Sequence, residues 1–236
     1  MLEVRRSLDR GYADHGWLKT YHTFSFADYY DPVYEEFGPL RVINEDRVKA
    51  GKGFGTHGHR DMEILTVVLE GELEHKDSLG NGSIIRPGDV QRMSAGTGVM
   101  HSESNPSPAQ DLHLLQIWIK PNVAGIPPSY EQKHFADADK RGKLRIIASA
   151  SGEDGSVVIH QDARVYSGLF NGAERAEFEV AKGRRAYAHV ARGSIAVNET
   201  RLNEGDGVKV TKPGRIALQS GRDAEILMFD LPKSIG

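Results

Sequence analysis

Along this chain, apolar and polar positions alternate in short runs far more often than they recur at helical spacing. Glu63–Leu69 (EILTVVL) and Leu112–Ile119 (LHLLQIWI) are the strongest apolar runs. Their length and Val/Ile/Thr content read as buried strands rather than helices. Shorter strand patterns fall at Leu40–Ile43, Glu72–Lys76, Asp89–Met93, Leu144–Ala148, Val157–His160, Tyr187–Val190, Ser194–Val197, Ile216–Gln219 and Ile226–Phe229. Turn chemistry separates them, as in Leu79-Gly80-Asn81-Gly82, Arg86-Pro87-Gly88-Asp89, Ala95-Gly96-Thr97-Gly98 and Lys212-Pro213-Gly214. Strands repeating every ~8–12 residues between such turns predict an all-β chain of sandwiches or barrels.

At 236 residues the chain has room for one large domain or two small ones. The stretch Pro121–Arg141 (PNVAGIPPSYEQKHFADADKR) carries prolines and charge and follows a strong strand, so it reads as a linker. It leaves about 120 residues before it and about 95 after it, each a plausible domain. A weak internal repeat supports two similar halves. Val68-Leu69-Glu70-Gly71-Glu72-Leu73 resembles Val190-Ala191-Arg192-Gly193-Ser194-Ile195, and Pro87-Gly88-Asp89-Val90 resembles Glu204-Gly205-Asp206-Gly207.

Composition narrows the chemistry. There is no cysteine, which excludes disulfides, thiolate zinc sites, iron–sulfur clusters and a cysteine nucleophile. A net charge of −3 and a pI near 6.4 give no footprint for generic nucleic-acid binding. The opening MLEVRRSLDRGYADH has no apolar core of a signal peptide, and no apolar run approaches the ~18 residues of a membrane span. The expectation is a cytoplasmic protein without membrane or nucleic-acid partners.

The ten histidines carry the chemical signal. His57-Gly58-His59 follows Gly51, Gly53 and Gly55; His101-Ser102-Glu103 follows Gly96 and Gly98. On a strand, residues i and i+2 share a face, roughly 6.5–7 Å apart. Each pair can therefore aim two ligating atoms into one cavity. A lone His-X-His on a surface strand means little. Two such pairs on facing strands supply three imidazoles and one carboxylate, a set suited to Fe, Mn, Co, Ni, Cu or Zn.

These same residues carry a family resemblance. Gly51-X5-His57-X-His59-X3-Glu63-X7-Gly71 looks like the first signature of the cupins, and Gly88-X5-Ser94-X-Gly96-X4-His101-X3-Asn105 like the second. Within the cupins the chain resembles the pirin family through HTFSFADYYDP (22–32), LRVINEDRV (40–48), GFGTHGHRDMEILTVVLEGELEHKDSLGN (53–81), MSAGTGVMHSESNPS (93–107) and LHLLQIWI (112–119). The resemblance implies a bicupin of two double-stranded β-helix (jelly-roll) barrels. The N-terminal cupin, residues 1–132, would hold the metal, and the C-terminal cupin-like domain, 133–236, would hold none. The pirin ligands fall on His57, His59, His101 and Glu103, and the implied cofactor is one divalent metal per chain, Fe(II) first, with Ni, Cu, Mn, Co or Zn as substitutes. The implied activity is that of a quercetin 2,3-dioxygenase, cleaving a flavonol with O2 and releasing carbon monoxide. Glu103 or water would take the proton of the flavonol 3-hydroxyl. The alternative is a redox-sensitive metal-binding regulator that acts through a protein partner without turnover.

Two departures from the family pattern matter. Pirins commonly read His-Pro-His where this chain has Gly58, which loosens the backbone between the ligands. Most metal-binding cupins draw their carboxylate from the first signature, where Glu63 is the candidate; the pirin pattern favours Glu103 and leaves Glu63 as a supporting residue. Of the other histidines, His113 alternates with Leu112 and Leu114 and reads as a satisfied core histidine, and His75 reads as solvated beside the Asp77–Gly82 turn. His134, His160 and His189 read as structural. His15 and His22 sit among Trp17, Tyr21, Phe24, Phe26, Tyr29 and Tyr30, a cluster read as packing against a barrel rather than lining a pocket. Ser102 faces away from His101 on a strand, so the two do not form a hydrolase pair.

Overall fold

The computed structural model describes residues 2–233. It divides into two compact units. One comprises Gly11–His134 with Val157–Gln161; the other comprises the described residues up to Arg10, Phe135–Ser156 and those from Asp162 onward. Two short segments group differently from a continuous 1–132/133–236 split. The strand Leu2–Arg5 joins the second unit because it pairs, Leu2↔Val210 to Arg5↔Gly207, with Gly207–Val210.

The first unit is built from two antiparallel sheets, the two-layer arrangement that the cupin resemblance implies. The larger is seven-stranded, in the order Ser129–His134, Asp89–Ser94, Glu63–Glu70, Leu112–Ile119, Leu40–Val48, Leu18–His22 and Gly11–Asp14. The smaller is four-stranded, in the order Gly53–His59, Val99–Ser104, Leu73–Asp77 and Gly82–Ile85. The proline-rich stretch read as a linker therefore contains an edge strand, Ser129–His134. Its sequence SYEQKH is polar because an edge strand presents one side to water, and that polarity hides it from an apolar-run search.

Period-two alternation explains the interior of this unit. Leu18, Val48, Val68, Leu73, Ile85, Leu112 and Leu114 form one apolar cluster, and Ile64, Met93, Ala95 and Val99 form a second. Between them, on the same faces of the same strands, register aligns a polar row: His22↔Asn44, Asn44↔Gln116, Gln116↔Thr66 and Thr66↔Gln91. All five are buried. On the opposite face of the large sheet, His113 Nε2 lies 3.0 Å from Glu45 Oε1, the satisfied core pairing expected from sequence.

In the second unit two long strands, Arg184–Val197 and Gly214–Pro232, each replace a pair of shorter expected ones. Register shifts between Val190 and Ala196 let the ladder bend without ending. Gly193, at φ +64, permits the bend, since a Cβ there would lie 2.2 Å from the Arg222 carbonyl oxygen. The apolar side chains of these strands, among them Ala188, Val190, Ile195, Ile226 and Met228, close around one core.

The strand that carries His57 approaches its neighbour through Gly53. A Cβ on Gly53 would sit 2.3 Å from the Glu103 carbonyl oxygen and 2.5 Å from Ser104 Cα, whereas one on Gly55 would meet nothing within 4 Å. Backbone cannot yield as a side chain does. Gly53→Ala is expected to cost about 1–3 kcal/mol, and Gly55→Ala to stay within about 0.5 kcal/mol. Urea midpoints of the two variants check this, and equal midpoints would contradict it.

Candidate metal centre

The four-stranded sheet places the candidate ligands. His57 and His101 are direct partners on neighbouring strands, and the register slips by one residue between His101 and Glu103, so that Glu103 faces Phe54. The His101 Nε2 atom lies 3.0 Å from His59 Nε2 and 3.0 Å from His57 Nε2. His57 Nδ1 lies 2.8 Å from the Gly55 carbonyl oxygen. A carbonyl only accepts, so Nδ1 of His57 carries a proton, and in the neutral ring Nε2 is then the lone pair. Burial, followed by the neighbouring His57, lowers the His59 pKa to about 4. Burial, followed by His57, His59 and His75, lowers that of His101 to about 3, with Asp77 opposing. All three rings turn an Nε2 atom toward the others, and burial favours the neutral form of His59 and His101.

That arrangement tests whether a metal fits. Imidazole nitrogens 3.0 Å apart either share a proton as N–H···N or, with all of them bare, face a cation held among them. Ligand nitrogens about 2.1 Å from one cation and at right angles to each other stand about 3.0 Å apart. The donor set is nitrogen and oxygen without sulfur, which suits a divalent transition ion. His57, His59 and His101 form a group able to hold one.

Glu103 stands differently from the histidines. Its ligating oxygen groups with His101 and His75 rather than with His57 and His59. Both carboxylate oxygens accept from Gln116 Nε2, at 2.9 Å each. Burial pushes its carboxyl up to about 7, with the Gln116 bond opposing and the Asp46 charge adding. Glu63, the other carboxylate candidate, is away from the histidines: its Oε2 accepts from Ser94 Oγ at 2.8 Å and from the His160 amide at 3.2 Å. Extrapolating the strand from His59 puts Glu63 on the ligand face, but Asp61 turns the chain at φ +46 and reverses the face.

Three further residues escape the sequence reading. His75 is fully buried rather than solvated, with Nε2 3.1 Å from Asp77 Oδ2 and Nδ1 3.5 Å from His101 Nδ1. The signal for it is the alternation Leu73-X-His75-X-Asp77, which runs in phase with inward-facing Leu73. Burial raises the Asp77 pKa, but the bonds from Asn81 and His75 and the amides of Asn81 and Leu79 outweigh it and hold the carboxyl below its ordinary range. His22 and Phe26 line a cavity rather than only packing. That cavity, about 310 Å³, is walled by Leu18, Phe26, Phe54 and Trp118 on its apolar side and by His57, His59, His101, Glu103, Asp46 and Gln116 on its polar side. Its volume is at the lower end for a small-molecule site. Trp118 stands edge-on to both His59 and Phe26, at centroid distances of 5.0 Å and 5.4 Å.

Asp46 gives a pH-dependent prediction. Burial pushes its carboxyl from an ordinary 3.8 up to about 7, with the Thr20 bond opposing and the Glu45 charge adding. Its Oδ1 accepts no hydrogen bond from the protein. A carboxyl with a raised pKa costs nothing where both states are protonated; its cost grows as pH rises from the ordinary 3.8 to the folded value of about 7 and levels off above it. In metal-free protein, Asp46→Asn is therefore expected to raise stability by on the order of 2–4 kcal/mol at pH 8, with the gain fading toward pH 4. Thermal unfolding across that range checks the trend, and a gain independent of pH would refute the cause given.

Residues 2–119 match the family described as Pirin, and residues 146–231 match the quercetinase C-terminal cupin domain. The chain is 47% identical over 232 residues to the quercetin 2,3-dioxygenase of Escherichia coli (strain K12), covering 98% of this chain and 99% of that protein. It is 41% identical over 228 residues to a pirin-like protein of Caulobacter vibrioides, covering 96% and 98%. The crystal structure of the bacterial pirin YhhW from Escherichia coli in complex with nickel(II) superposes with a TM-score of 0.93 at 46% identity, covering 98% of this chain and 99% of that one. Among the described residues, no helix is long and apolar enough to cross a membrane. The chain is a bicupin and belongs to the pirin family.

Proposed function

We propose that this protein is a metal-dependent dioxygenase that opens the central ring of a flavonol such as quercetin with O2. The observation that carries the reading is the convergence of three imidazoles, with His101 Nε2 3.0 Å from the Nε2 atoms of both His57 and His59, on the wall of a cavity faced by aromatic side chains. Its support from relatives is the quercetin 2,3-dioxygenase at 47% identity over nearly the whole chain. His57, His59 and His101 would hold the ion, with Glu103 as the fourth ligand. Fe(II) is the preferred ion, and the nickel(II) complex of the related pirin makes Ni(II) the first alternative. Such an ion supplies Lewis acidity and, when it is iron, a one-electron relay to dioxygen.

The protein's own residues do the rest. Phe26, Phe54 and Trp118 offer flat apolar surface to a polyphenol and exclude water around it. Glu103, with its carboxyl near neutrality, takes the proton of the flavonol 3-hydroxyl at a carboxylate oxygen, and Gln116 Nε2 steadies the charged form. The overall change balances with both atoms of O2 entering the opened ester and one ring carbon leaving as carbon monoxide.

Protein purified without added metal or affinity tag is expected to carry one transition-metal ion per chain by elemental analysis. Metal-loaded protein should consume O2 and release carbon monoxide with quercetin. The double variant His57→Ala, His101→Ala should lose the metal and at least about a thousandfold in turnover. Unchanged turnover in that variant would remove the site from the reaction.

A further inference from the structure

The strand Leu40–Val48 turns Asn44, Asp46 and Val48 to one face. Its register sets Asn44 between His22 and Gln116, and Asp46 between Thr20 and Leu114. The first position is matched. Asn44 Oδ1 lies 2.9 Å from His22 Nδ1, and Gln116 Nε2 donates to both Glu103 oxygens at 2.9 Å. The second position is not. Thr20 bonds the Asp46 carboxyl from one side, while the Leu114 side chain on the other has nothing to donate. Asp46 is buried, lines the cavity, and keeps its Oδ1 without a hydrogen bond. Among the described residues that line this cavity, no other has a buried side-chain nitrogen or oxygen left unbonded.

A buried acceptor without a donor costs the fold, and a leucine at this position would avoid that cost. The missing donor can come from whatever fills the cavity. A carboxyl accepts through an oxygen in its charged and its neutral form alike. The torsion that aims its oxygens has broad minima, so either oxygen can be turned to an occupant. The surroundings restrict what that occupant is. Leu18 and Leu114 belong to the apolar cluster beside Asp46, and Phe54 packs on it. No lysine or arginine is among the described residues that line the cavity, so an anionic group finds no side-chain partner of that kind there. A neutral hydroxyl on an aromatic ring satisfies both conditions. Asp46 is also in neither group of side chains able to hold a metal, which leaves its carboxyl for the organic ligand.

We propose that the Asp46 carboxyl accepts a hydrogen bond from a hydroxyl of the bound flavonol other than the 3-hydroxyl, and thereby selects polyhydroxylated flavonols over the parent 3-hydroxyflavone. This rests on the flavonol reading above and adds a specificity determinant to it. A site built to bond a hydroxyl discriminates strongly against an analogue that lacks one, because its own buried polar group is then left unpaired.

The test is equilibrium binding to full-length protein as purified, measured by calorimetry without O2, so that turnover is not read. Quercetin and 3-hydroxyflavone share the 3-hydroxyl and the adjacent carbonyl and differ only in the further hydroxyls. The readout is the ratio of their two affinities. Asp46→Leu, similar in size and without an acceptor, should lower the quercetin preference about ten- to a hundredfold, with the affinity for 3-hydroxyflavone staying near that of wild type. Asp46→Asn keeps an accepting oxygen without the charge and should retain part of the preference. Both changes remove an unmatched carboxyl. Where Asp46→Leu does not fold, a ratio equal to wild type in Asp46→Asn overturns the proposal. An unchanged ratio in folded Asp46→Leu overturns it too, as does an equal loss of affinity for both ligands, which marks a structural role. Wild-type protein that binds neither flavonol defeats the flavonol reading and this proposal with it, whereas quercetin binding that is indifferent to Asp46 defeats this proposal alone.

Discussion

Three imidazole rings do not gather of their own accord. His101 Nε2 stands 3.0 Å from the Nε2 atoms of His57 and His59, and the surrounding protein holds the three rings there. The force that does so is the antiparallel ladder, whose hydrogen bonds fix strand spacing near 4.8 Å whatever the side chains prefer. Two neighbouring strands with histidines on one face must bring those histidines together. The remaining features follow from that constraint. The Gly55 carbonyl takes the His57 proton away from the cluster, and burial keeps His59 and His101 from charging to relieve the crowding.

A site of this kind opposes the stability of its own domain. Glu103 and Asp46 are buried carboxyls held near neutrality, and the polar row His22, Asn44, Gln116, Thr66 and Gln91 takes up the middle of what would otherwise be an apolar interior. The apolar clusters on either side of that row offset the cost. Placing the site on strands rather than loops also limits how far any ligand can drift.

The pairing of His57 with His59 was legible in sequence because strand periodicity is local and His-X-His needs only its own backbone to share a face; that Glu103 groups with His75 and His101 was not. What lay beyond local periodicity was hidden. Whether His75 is wet or dry depends on the Gly82–Ile85 and Val99–Ser104 strands that flank it, and no spacing within Leu73–Asp77 reports them. The face of Glu63 turns on one residue, Asp61, adopting a positive φ that its sequence permits but does not demand. The strand Ser129–His134 escaped notice because edge strands can be polar on both faces. Arg184–Val197 was read as two strands because Gly193 looked like a terminator when it is a bend.

The pairing of Leu2–Arg5 with Gly207–Val210 bears on how the chain is made. Glu3 and Lys209, 206 residues apart, meet at 3.0 Å in a sheet of the second unit. Contacts of such long range slow folding, since the entropy of closing the loop is lost before the contact repays it. On the ribosome, the strand Leu2–Arg5 emerges early and has no ladder to join until Gly207–Val210 has followed it out. Throughout that interval it is an unpaired edge, exposed to whatever other strands the cell presents. Order of synthesis and order of assembly therefore run in opposite directions here: the metal-binding barrel can close while the chain is still growing, and the segment that precedes it is among the last to dock.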